Sequence, residues 1–119
     1  MAMTVLIVDD HPSFRSNARA LLEAEGYEVV GLAADGASAL AAAHELRPDL
    51  VLLDVQLPDF DGFEVAARLR ASSNGTGPAV VLTSSRDASD FGHLVTESGA
   101  RGFVPKGELS GERIASLCE

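Results

Sequence analysis

The chain has 119 residues, 46% hydrophobic and 23% charged, long enough for one domain with a proper core and too short for two of ordinary size. Its net charge of −9 argues against gripping nucleic acid unaided, because non-specific binding draws on cationic neutralisation of phosphates. No apolar run reaches the length of a bilayer span and the amino terminus lacks a signal-peptide pattern, so one cytoplasmic domain over residues 1–119, without membrane contact, is expected.

The first apolar run, Thr4–Val8, reads as a strand, and Asp9 and Asp10 follow it. Pro12 opens a helix in which Phe14, Ala18, Leu21 and Leu22 form a sheet-facing stripe, and Gly26 closes it. Glu28–Ala33 is the second strand. Asp35 caps a second helix whose inward stripe is Ala37, Leu40, Ala41 and His44, ending ahead of Pro48. Leu50–Leu53 is the third strand, followed at once by Asp54. A third helix starts near Gly62 with Asp61 as its cap and turns Val65, Ala66 and Leu69 inward. The SSNGTG stretch, Ser72–Gly77, is a polar loop leading to a fourth strand, Ala79–Thr83. A fourth helix around Ala88 to Ser98 is expected to be the most mobile, since Gly92 inside it costs about 1 kcal/mol relative to alanine. Gly102–Val104 is a brief fifth strand with Lys106 just beyond it. The last helix carries Ile114, Leu117 and Cys118 on one side; Cys118, the only cysteine, reads as a packing residue.

Apolar runs alternating with helical stripes predict an α/β fold: a doubly wound, five-stranded parallel sheet with helices on both faces. The carboxyl ends of such strands share one edge, and ligands bind there where strand order reverses. Asp9, Asp10, Asp54, Thr83 and Lys106 all fall at those ends. If the first and third strands are neighbours, about 4.8 Å apart, their carboxylates come within reach of one another. Two unit charges about 5 Å apart repel by roughly 3 kcal/mol at an effective dielectric near 20. The cluster therefore needs a shared proton or a cation, and oxygen-only ligands favour a hard ion such as Mg2+. A carboxylate can be a nucleophile toward phosphorus, a lysine ammonium can offset a phosphoryl oxygen, and a threonine hydroxyl can donate to another.

Taken singly, each feature has a plainer reading. An acidic pair is usually a solvated turn, Thr83 could merely end a strand, Lys106 could be a surface lysine, and Phe103 could be core. The joint placement of the acids after two apolar runs is what points to a site. His11 is most simply a loop residue beside the acidic pair, and His44 and His93 read as packing or surface positions. Without a Cys/His cluster no zinc site is expected, and the lack of a Gly-rich phosphate loop counts against a nucleotide fold.

The segments VLIVDDHPSFR, VLLDVQLPDFDGFEV, VVLTSS and GARGFVPK occur in order along nearly the whole chain. Together they resemble the signatures of response-regulator receiver domains of bacterial two-component systems. DDHPSFR and the Lys106-Gly107 ending are similar to the subgroup that usually carries a helix-turn-helix DNA-binding domain after the receiver. The resemblance implies the flavodoxin-like strand order 2-1-3-4-5. It implies Asp54 as phosphoacceptor, Asp10 as direct metal ligand, Asp9 as the acid that holds the ion through water, and the Gln56 backbone carbonyl as completing the Mg2+ site. It further implies Thr83 and Lys106 as phosphoryl contacts and Phe103 as the aromatic that changes rotamer. Gln56 and Ser85 occupy positions where the family varies the lifetime of the phosphoryl group. The implied partners are a sensor histidine kinase, a second copy through the fourth helix, fifth strand and fifth helix, and DNA only by way of an additional domain. Two alternatives stand beside this phosphorylation switch, which is not an enzyme in the multiple-turnover sense. One is a Mg2+-dependent aspartyl-phosphate phosphatase, disfavoured because its aspartates would be spaced two apart and a cap would be needed. The other is a receiver-like interaction module that works without phosphorylation.

Overall fold

In the computed structural model, residues 2–72, 77–86 and 90–118 are described. The strands are β1 (Thr4–Val8), β2 (Glu28–Ala33), β3 (Leu50–Asp54), β4 (Ala79–Ser84) and β5 (Gly102–Pro105). They pair in parallel in the order β2-β1-β3-β4-β5, the doubly wound arrangement expected of the sequence. The helices are α1 (Pro12–Ala24), α2 (Gly36–Leu46), α3 (Gly62–Ser72), α4 (Leu94–Glu97) and α5 (Gly111–Cys118), with a 3-10 turn over Lys106–Glu108. Among the described residues no helix is long and apolar enough to cross a membrane.

Period-two alternation along the strands divides the core into two layers. Leu6, Val8, Val51, Leu53, Val80 and Leu82 pack with Ala39 and Ala43 of α2 and Val65, Ala66 and Leu69 of α3. Val5, Ile7, Leu50, Leu52, Val81 and Val104 pack on the other side with Ala18 and Leu22 of α1 and Ile114 of α5. The central strands are buried on both faces, which is why they are continuous apolar runs.

Local signals set the helix ends. Pro12 occupies the first turn of α1, where its missing N–H has no intrahelical partner to lose. Gly26 takes φ +96 behind α1, and Tyr27 N–H returns to the Leu22 carbonyl at 3.0 Å to close it. Asp35 accepts the Ser38 N–H at 2.8 Å, and Asp61 accepts the Glu64 N–H at 2.8 Å at the start of α3.

Two expectations need correction. The inward face of α2 is Gly36, Ala39 and Ala43, with Leu40 on its flank, while Ala37, Ala41 and His44 are exposed. The alanine-rich segment has too little contrast between its sides to fix the rotation of the helix. The fourth helix, read over Ala88 to Ser98, is described as helical only over Leu94–Glu97, and Gly92 breaks the run in front of it with φ +58. Its expected start and the centre of the SSNGTG loop, residues 87–89 and 73–76, lie outside the described residues, as does the Cys118 side chain.

Candidate phosphoacceptor site

The parallel register builds the site. Val8 is opposite Leu53 on β3, so Asp9, one residue on, lies beside Asp54; Asp54 is in turn opposite Thr83 on β4. Lys106 follows β5, whose Pro105 pairs with Ser84. Asp9 and Thr83 are fully buried and Asp54 is 2% exposed, an unusual burial for carboxylates.

Lys106 Nζ lies 2.7 Å from Asp9 Oδ2 and 3.5 Å from Asp54 Oδ2. The Asp9 contact is an ion pair without hydrogen-bond alignment. The same ammonium sits 4.6 Å from the centroid of the Phe14 ring of α1, a cation–π contact. Asp54 Oδ1 accepts the Gln56 N–H at 3.2 Å. The Asp54 carboxyl is pushed up from 3.8 to about 6, first by burial and next by the Asp9 charge, while the Gln56 N–H and Lys106 pull it back.

The donor set fits a hard divalent cation. Ligand atoms of Asp9, Asp10, His11 and Asp54 all lie within 4.8 Å of one another, and the three acids offer oxygen. Thr83 Oγ1 is buried beside Asp54 without a hydrogen-bond partner among the described residues, and Asp9 Oδ2 likewise has no hydrogen bond. Buried polar atoms are rarely left so, and an arriving group with free oxygens would satisfy the hydroxyl.

All the expected polar groups thus converge: Asp9, Asp10, Asp54, Thr83 and Lys106 share the strand-end edge, and Gln56 lies next to it. Phe103 is half-buried on the α2–α3 face, its ring centroid 5.7 Å from Phe91, which is 5.5 Å from Phe63. Sequence reasoning gave His11 too little. Its Nδ1 is 2.9 Å from Asp9 Oδ1 and 3.1 Å from Asp10 Oδ1, with the side chain 63% exposed at the mouth. It also missed Arg15, whose Nη1 donates to the Asp9 carbonyl at 2.6 Å, and Asp59, which binds across to α2. Adjacency to the acids was a signal for His11; nothing local marks Asp59.

Fold and site together define a class: a doubly wound α/β protein with a buried acid cluster at the strand-order reversal. A family model for the response regulator receiver domain matches residues 5–117, and the chain belongs to that family. It is 44% identical to BvgA of Bordetella pertussis over 104 residues, 87% of this chain and 49% of that protein. It is 43% identical to the DNA-binding response regulator MtrA of Mycolicibacterium smegmatis over 117 residues, 98% of this chain and 50% of that protein. The signal receiver domain of the response regulator NarL from Mycobacterium tuberculosis superposes with a TM-score of 0.84 at 34% identity, covering 98% of this chain and 96% of that one. The chain spans about half the length of the curated relatives it matches.

Proposed function

We propose that residues 1–119 form one receiver unit that acts in the cytoplasm as a phosphorylation switch, with Asp54 as the acceptor. The observation that carries this is the buried Asp54 carboxylate facing the Lys106 ammonium and a Thr83 hydroxyl that has no hydrogen-bond partner among the described residues. An Asp54 oxygen attacks the phosphorus of a phosphohistidine on a sensor kinase; the P–N bond breaks and the imidazole leaves, taking up a proton. Lys106 offsets negative charge on the transferred group, and Thr83 donates a hydrogen bond to one of its oxygens. A hard ion such as Mg2+, held by Asp9, Asp10, Asp54 and the Gln56 carbonyl, would supply neutralisation of the acid cluster and of the phosphoryl oxygens.

The hydrogen bond made by Thr83 gives the hydroxyl a reason to turn, and Phe103 on the adjoining strand follows by changing rotamer. The surface of α4, β5 and α5 then shifts, favouring pairing with a second copy. MtrA is by name a DNA-binding response regulator, and this supports a transcriptional output exerted through a further domain. The family is one of signalling receivers rather than conventional enzymes.

Incubation with Mg2+ and acetyl phosphate, followed by intact-mass measurement, is expected to add one phosphoryl group to the chain and none to Asp54→Asn. Lack of the added mass, or its persistence in the variant, would overturn the assignment.

A further inference from the structure

The loop from Val55 to Asp61 joins β3 to α3 and carries Gln56 beside the acceptor. Several of its bonds are internal. Gly62 N–H returns to the Val55 carbonyl at 2.6 Å, Gln56 bridges Asp61, and the Gln56 N–H binds Asp54. The Asp59 side chain ties it to the start of α2. Asp59 Oδ1 accepts the Gly36 N–H at 2.7 Å and the Phe60 N–H at 2.8 Å, and Asp59 Oδ2 accepts the Ala37 N–H at 2.9 Å.

Gly36 and Ala37 open α2, and their N–H groups have no acceptor inside the helix. The Asp35 side chain is occupied by the Ser38 N–H and hydroxyl. The α2 amino terminus is therefore capped twice, once by the adjoining Asp35 and once by a carboxylate 22 to 23 residues away. A negative group there also suits the helix dipole. The Gly36 N–H, more than those of Ala37 and Phe60, holds the Asp59 carboxyl below its ordinary range.

The approach is close enough to depend on glycine. A Cβ at Gly36 would run into the Phe60 ring and lie 3.1 Å from both Asp59 Oδ1 and Val65 Cγ2. Gly62 at the far end is equally confined, since a Cβ there would stand 2.5 Å from the Asp54 carbonyl oxygen. The loop is thus anchored at Asp54, at Gly62 and, through Asp59, on α2.

We propose that Asp59 is a positioning residue for the phosphoacceptor site: by fastening the β3–α3 loop to the α2 amino terminus, it holds the Gln56 backbone where the ion is bound. The inference rests on the ion-and-acceptor reading of Asp54 given above. It assigns Asp59 no contact with the ion or the phosphoryl group.

The test compares wild type, Asp59→Ala, Asp59→Asn and Gly36→Ala, each first checked for cooperative unfolding. Calorimetric Mg2+ titration, without phosphodonor, is expected to show affinity about fivefold weaker in Asp59→Ala, less than the roughly 10–100-fold typical of a lost direct partner of a metal ligand, because Asp59 acts on the Gln56 backbone only through the loop. Asp59→Asn, which keeps one acceptor oxygen, recovers most of the loss. Gly36→Ala weakens Mg2+ with the carboxylate intact, because the added methyl wedges the loop away. In acetyl phosphate reactions the half-saturating Mg2+ rises in Asp59→Ala while the rate at saturating Mg2+ stays within about twofold, and amide exchange at Gly36 and Ala37 quickens without metal. Wild-type Mg2+ affinity in Asp59→Ala alongside faster exchange would reduce Asp59 to a helix cap and overturn the proposal alone. Absence of Mg2+ binding to the wild type would overturn the ion site and the proposal with it.

Discussion

Asp54 carries an ionisable carboxyl into a place where ionisation costs stability. Its folded pKa, about 6, lies above the ordinary 3.8, so between those values the folded chain holds a proton the unfolded chain has released. The sign follows: this contribution is fully present below pH 3.8 and is lost as pH rises through 6. A gap of about two units at roughly 1.4 kcal/mol each gives a penalty of order 3 kcal/mol at neutral pH. Asp54→Asn removes the charge but keeps the shape, and in metal-free buffer at pH 8 it should be more stable than wild type by about 1–3 kcal/mol. The advantage should shrink toward zero at pH 4. Urea unfolding of both proteins at the two pH values measures it, and the difference cancels opposing trends such as that of Asp59, whose lowered pKa makes its contribution fade as pH falls. An advantage independent of pH would show that charge is not its origin. Mg2+ at pH 8 should stabilise wild type more than the variant, and chelation should reverse this.

At the scale of elements, Phe63 at the start of α3, Phe91 ahead of α4 and Phe103 on β5 form a continuous aromatic contact. Arg86 caps it, its guanidinium 5.9 Å from the Phe91 centroid and 3.6 Å from Asp90. With only four residues, α4 has little hydrogen bonding of its own, so this contact is a main tie between that segment and the sheet. Phe91→Ala should cost about 1–2 kcal/mol, given the half-buried ring and its two aromatic neighbours. Hydrogen exchange over Leu94–Glu97 should quicken, and Phe103 should populate more than one rotamer without phosphodonor, as read from its ring carbon resonances. A single retained rotamer would mean that β5 alone orients Phe103. The elements themselves differ in how openly the sequence displays them. The five strands match their apolar runs to within a residue at each end, and for the central β1, β3 and β4 the reason is that a strand covered on both faces admits hardly any polar residue. Asp9, Asp54 and Thr83 were legible because a polar residue ending such a run is conspicuous. The rotation of α2 was not, since GASALAAAHEL places alanine on nearly every side. The Asp59 bond to Gly36 was invisible for another reason: both residues already have local roles, as turn former and helix starter, and only the fold brings them together.

Across the whole molecule, the sheet separates two helical layers, and the site is the place where both reach the same edge. Phe14 of α1 leans on Lys106 from one side, while Asp59 and Phe60 press the acceptor loop onto α2 from the other. Among the described residues the buried apolar side chains fall into two clusters on opposite faces of the sheet, with Ile114 in the α1–α5 core and Leu69 in the α2–α3 core. Ile114→Val should cost about 0.5–1.5 kcal/mol and Leu69→Ala about 2–5 kcal/mol. In the double variant the losses should add to within about 0.5 kcal/mol, as expected of residues in separate core clusters. Urea midpoints at constant m value measure all three. A larger departure from additivity would mean that the sheet transmits strain between its faces. In that event a change at the acceptor edge could reach α5 through the β5 backbone without any movement of Phe103.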